Sequence, residues 1–216
     1  MTAGRSAGEI AKPRRRPRGA VRDGLIAAGL ELARAGGPDA VVLREATQMV
    51  GVVPNAAYRH FAGRDELLAA VATAAMRELA ARMTARAGRV RGTPGDPAAA
   101  RRRLRAIGRA YLEFARQEPG PAATAFAVPR QHAYDAPGGG TGQDPMPPDQ
   151  LRAVLDELAA AGVLNPRRRA GLENPIWSTV HGLPVLTGQG PLRELPDATR
   201  RHLEKLTSAF IGEALA

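Results

Sequence analysis

The sequence predicts an all-α fold: an N-terminal three-helix helix-turn-helix unit followed by a larger helical C-terminal part. Three observations carry this. Apolar residues make up 44% of the 216-residue chain but aromatics only 4%, so a core must be built from Ala, Leu and Val, which favours helices over strands. Apolar residues recur at intervals of three and four, and no segment shows sustained strand alternation. Between Leu43 and Leu68, two short helical stretches are joined by a tight turn at Gly51. The length allows one or two domains with a sizeable core.

The elements follow in order. Residues 1–17 are rich in Gly, Ala and Arg and are expected to be a disordered basic arm. Lys12, Arg14, Arg15, Arg16 and Arg18 could reach into a DNA minor groove or only add nonspecific attraction. A first helix is expected over 20–35, with Val21, Leu25, Ala28 and Leu32 on one face and Gly36-Gly37 as its stop. Ala46, Met49 and Val50 give the next short helix its apolar side, and Pro54 suits the first position of the one after, expected over 55–61. A long helix from Asp65 towards Ala87 places Leu68, Val71, Ala75, Leu79 and Met83 on one side.

Asp96-Pro97 reads as the cap and first turn of a helix reaching Gln117, with Leu104, Ile107, Tyr111 and Phe114 on one face. Glu118-Pro119-Gly120-Pro121 breaks it, and a short helix is expected over 122–128. Residues 129–148 are poor in apolar residues and read as a mobile loop. A helix over 149–161 is closed by Gly162. The stretch opened by Asn165-Pro166 is expected in two or three pieces, interrupted at Pro175 and Pro184. The last helix, 197–214, places Leu203, Leu206, Phe210 and Ala214 on one stripe.

Composition narrows the chemistry. Without cysteine, disulfides, thiolate nucleophiles and cysteine-ligated zinc are excluded. The four histidines (His60, His132, His181, His202) show no pair at metal-ligand spacing. No nucleophile–base pair, phosphate loop or metal cluster is visible, so neither an enzyme nor a cofactor is expected. No run reaches the roughly eighteen apolar residues of a membrane helix and no signal peptide is seen, so a cytoplasmic protein is expected. The net charge of +10 is uneven: residues 1–64 hold eleven Lys/Arg against five Asp/Glu, a net of +6. That is the footprint of a polyanion-binding module; a solubilising tail on an arginine-rich chain is the alternative.

The stretch 55–61 carries Asn55, Tyr58, Arg59 and His60, groups that hydrogen-bond bases or phosphates. GVVPNAAYRHFAGRDELL resembles the signature of TetR-type transcriptional regulators, with Gly51, Val52, Tyr58, His60, Phe61, Arg64, Glu66 and Leu67 at the family's spacing. The likeness covers about residues 18–80. Trp177 to Gly182 is similar to the Trp…His-Gly element of one subgroup.

The resemblance implies a DNA-binding domain at 18–80, an effector-binding and dimerisation domain at 81–216, and a homodimer on a double-stranded operator, released by a small molecule. It implies phosphate contacts from Tyr58, His60 and Arg64, with Phe61 turned into the core. Base readout is expected from Pro54, Asn55, Ala56 and Arg59, and further contacts from Arg44 and Gln48, which share a face. Trp177 and His181 line an effector pocket in this reading; a packed aromatic and a backbone-bonded histidine are the alternative. Tyr111, Phe114 and Phe126 belong to either pocket or core. The final helix resembles the family's dimer-forming helix, with an intrachain core face as the competing account. Three departures stand out. Val42 and Val53 replace the usual Ser or Thr caps, Thr47 replaces a small Ala, and Ala57 stands where Leu is common.

Overall fold

The computed structural model describes residues 18–93, 95–128 and 145–215; the expected basic arm and residues 129–144 of the expected loop lie outside them. Among the described residues the architecture is helical throughout, without a strand. The N-terminal unit comprises α1 (Arg18–Gly36), α2 (Leu43–Val50) and α3 (Pro54–Ala57), followed by the long α4 (Arg64–Ala87). Leu25, Val41, Ala46, Ala57, Phe61 and Leu67 are fully buried between these helices. Gly51 ends α2 in the left-handed region (φ 70°), and its N–H donates to the Thr47 and Gln48 carbonyls. A side chain is strained there, which is why glycine holds the turn.

At about 1.5 Å per residue, α4 is about 36 Å long. Its stripe of Leu68, Val71, Ala75, Leu79 and Met83 is buried along that length, so one helix carries core from the N-terminal unit into the C-terminal half. Its start lacks a side-chain cap at Gly63. Glu66 Oε2 instead accepts the Ala62 N–H at 2.6 Å, tying the residue before the N-cap to the first turn.

The C-terminal half holds α5 (Pro97–Gln117), α6 (Pro119–Ala125), α7 (Pro147–Ala160), α8 (Glu173–Gly188) and α9 (Asp197–Ala214). Asp96 caps α5 by accepting the Ala98 N–H at 2.8 Å. α5 is the central element, packed against α4, α6, α7, α8 and α9. Three expectations are corrected, all at prolines. α6 starts at Pro119 rather than 122, and α7 at Pro147 rather than 149, because the first turn of a helix needs no proline N–H. The stretch opened by Asn165-Pro166 is in two pieces as expected, a single turn over Pro166–Arg168 capped by Asn165 and then α8, but the break precedes α8, which is one helix through both Pro175 and Pro184. Pro175 falls in its first turn, and Pro184 removes one backbone bond without ending it. A fourth correction concerns α3, which ends at Ala57 and continues as a turn through His60.

α6 packs on α1 at close range: a methyl group on Gly120 would collide with the Ala33 carbonyl oxygen. An ion cluster surrounds this junction. Arg34 of α1 reaches Glu31 at 2.6 Å, Glu78 of α4 at 2.8 Å and Glu118 at 3.3 Å. Arg82 of α4 shares Glu118 at 3.0 Å. α9 is different, since none of its residues is buried. Leu206 and Phe210 are 51% and 61% exposed.

Candidate nucleic-acid interface and C-terminal cavity

The N-terminal unit presents a polar surface around α3. Val53 precedes α3 without a side-chain bond, and Pro54 opens it. Asn55 and Arg59 are exposed, Ala56 is half-buried, and Tyr58 is 60% exposed. Buried Ala57 and Phe61 hold this segment onto the unit. The Arg22 guanidinium lies over the Phe61 ring at 5.3 Å, a cation–π contact that the sequence reading did not identify. His60 is half-buried in the turn, its N–H bonded to the Ala57 carbonyl at 2.8 Å. Arg44 and Gln48 lie exposed on α2, one turn apart.

Arg64 is exposed but engaged within the chain. It donates to the Pro38 carbonyl at 2.9 Å and lies 3.6 Å from Asp39. Its guanidinium therefore also fastens the loop before α2 to the start of α4. Neither Val42 nor Val53 makes a capping bond. Buried Thr47 donates its hydroxyl to the Arg44 carbonyl at 2.5 Å, so its extra polar group is satisfied inside α2.

In the C-terminal half a cavity of about 90 Å³ lies between α5, α7, α8 and α9. Of the five residues expected at a pocket, Tyr111 and Trp177 line it. Phe126 and His181 stand behind that wall, with ring centroids 4.4 Å apart and each within 6.4 Å of Tyr111. The Tyr111 hydroxyl is 2.5 Å from His181 Nδ1. Burial pushes the His181 imidazole below its usual pKa, which favours the neutral ring in this contact. Phe114 does not line the cavity: it lies one turn further along α5, fully buried with the Arg82 guanidinium 5.0 Å from its ring. Arg101, Arg105, Gly108 and Ser208 also line the cavity and escaped the sequence reading. A glycine at 108 on the apolar face of α5 was the available signal.

Residues 25–71 match the family model described as "Bacterial regulatory proteins, tetR family". Residues 104–210 match "Tetracyclin repressor-like, C-terminal domain". The chain belongs to the TetR family. It is accordingly a TetR-family transcription regulator with a helix-turn-helix unit. The fold agrees with solved structures. A protein with unknown function from Rhodococcus sp. RHA1 is similar at TM-score 0.67 and 24% identity, covering 91% of this chain and 95% of that one. A putative tetR family transcription regulator from Shewanella sp. PV-4 is similar at TM-score 0.60 and 15% identity, covering 91% and 98%. No curated protein shows a significant sequence match. Among the described residues, no helix of this TetR-family chain is long and apolar enough to cross a membrane.

Proposed function

We propose that the chain is a homodimeric repressor that binds a double-stranded operator and is released when a small molecule enters the C-terminal cavity. Residues 18–80 would form the DNA-binding part and 81–216 the effector and dimer part, joined through α4. The observation that carries the reading is the outward presentation of Asn55, Tyr58 and Arg59 over a unit closed by Ala57 and Phe61. Asn55 and Arg59 read bases, the pairings being Asn with adenine and Arg with guanine. Tyr58, His60 and Arg64 hold phosphates and fix register without reading sequence. Arg44 and Gln48 add backbone contacts from α2, and the first turn with Pro54 and Ala56 faces the base edges.

Two copies joined through the open face of α9 would place their α3 segments about 34–36 Å apart, or at a multiple of that spacing. A ligand shifts this geometry only by the difference in its affinity for the two states. The test is binding to the chain's own promoter region by Asn55→Ala and Arg59→Ala proteins. Loss of sequence preference is expected; unchanged affinity and preference in both would remove the readout assignment.

A second reading, a helical small-molecule sensor with weakened or nonspecific DNA binding, draws on the two uncapped helix starts at Val42 and Val53. Salt separates the two. An operator binder keeps its preference for the promoter over random duplex as affinity falls with salt, whereas a decayed binder shows none.

A further inference from the structure

We infer that the C-terminal cavity takes a small apolar organic acid, an apolar body bearing one anionic group. This rests on the effector reading above and names the ligand class of that site. The walls are apolar, with Leu104, Ile107, Leu151, Ile176 and Val180 among them, and among the described residues no Asp or Glu lines the cavity. An apolar body is therefore favoured inside it.

The arginines of α5 decide the charge. Arg102, Arg103, Arg109 and Arg116 each have a carboxylate partner within 4.0 Å, in Asp96, Glu157, Glu113 and Glu204 respectively. Arg101 and Arg105 have none among the described residues, and these are the two that line the cavity. They are exposed and stand one turn apart on the same side of the helix, at the edge of the cavity. Arginine pairs with carboxylates through two parallel hydrogen bonds, which an alcohol or an amine cannot reproduce. Ser208 of α9 donates its hydroxyl proton to the Glu204 carbonyl at 2.9 Å, so it has no proton left for an anion and the arginines are the donors there. The Tyr111 hydroxyl is engaged with His181, so the anion is met at the α5–α9 opening rather than at the aromatic wall.

Two glycines supply the room. Gly108 in the middle of α5 and Gly212 in the last turn of α9 both line the cavity, and apart from the adjacent backbone of its own helix a methyl group on either would meet no described atom within 4 Å. Glycine is the poorest non-proline residue inside a helix, and among the described residues no packing partner requires it at 108. The space it leaves is continuous with the cavity. At about 90 Å³, against ~150 Å³ for an apolar cavity that holds benzene, the site as it stands fits a short body.

The test is calorimetric titration of the full chain with butanoate, hexanoate and octanoate, each against the 1-alcohol of the same length. At least one acid is expected to bind about ten-fold tighter than its alcohol. In R101Q/R105Q that preference should fall below about two-fold while alcohol affinity is kept. Gly108→Leu should weaken both members of a pair, and Gly108→Ala neither. No acid binding more tightly than its alcohol would overturn the inference, and that comparison uses the unaltered chain, so it depends on no variant folding. Promoter retention measured in parallel separates this inference from the reading beneath it. Selective acid binding without release supports the ligand class and removes the effector role. Release by acid and alcohol alike keeps the effector role and overturns the ligand class.

Discussion

Tyr111 of α5 and His181 of α8 are joined side chain to side chain at 2.5 Å, tying two helices of the cavity wall through one neutral imidazole. Burial lowers the His181 pKa from its ordinary 6.5. Below about 6.5 the unfolded chain takes up a proton that the folded chain does not, so stability falls as pH drops through that window towards the folded value. His181→Asn removes this contribution. Melting temperatures of the two proteins should converge as pH falls from 7 to 5; parallel curves would show that His181 does not couple to folding.

The uncapped helix starts make a stability prediction. Val53 is 68% exposed with extended backbone angles, so Val53→Ser fits and offers an oxygen to a free N–H of α3. A gain of about 1 kcal/mol is expected, or roughly 2–4 °C in melting temperature for a chain of this size. A lower melting temperature would show that the valine packs usefully.

Gly120 is the reverse case. Gly120→Ala must separate α6 from the Ala33 carbonyl, at about 1–3 kcal/mol if the helices yield as an overpacked core does. Chemical denaturation checks this, and an unchanged midpoint would mean that α6 is displaced at no cost.

The exposed stripe of α9 predicts assembly. Phe210→Glu places a charge in the middle of a face on which Leu206 and Phe210 are more than half exposed within one chain. Light scattering should move from a dimer to a monomer mass. A dimer that persists would put the interface on another surface.

What the sequence made legible was local. Gly51, Pro54 and the apolar spacing of α2 are contained within a dozen residues, so the helix-turn-helix could be read directly. The missing caps were legible for the same reason. Proline misled at 119, 147, 175 and 184, because its effect depends on where a helix begins and the sequence shows only that it is present. The cavity depended on distance. Arg103 is paired because Glu157, 54 positions away, folds back onto α5, and Arg116 because Glu204 does so from 88 positions away. No spacing rule shows which arginines are left over once those pairs form. Arg101 and Arg105 emerge only by subtraction.

The Arg34–Glu118–Arg82 cluster affects how this regulator must be measured. Its members are a quarter to two-fifths exposed, so salt weakens them over the same range in which it displaces a protein from phosphates. Affinity plotted against salt would then fall for two reasons, counterion release at the duplex and loosening of the joint between α1, α4 and α6. The slope would overcount the phosphates held, and the excess should shrink when Glu118 is made glutamine.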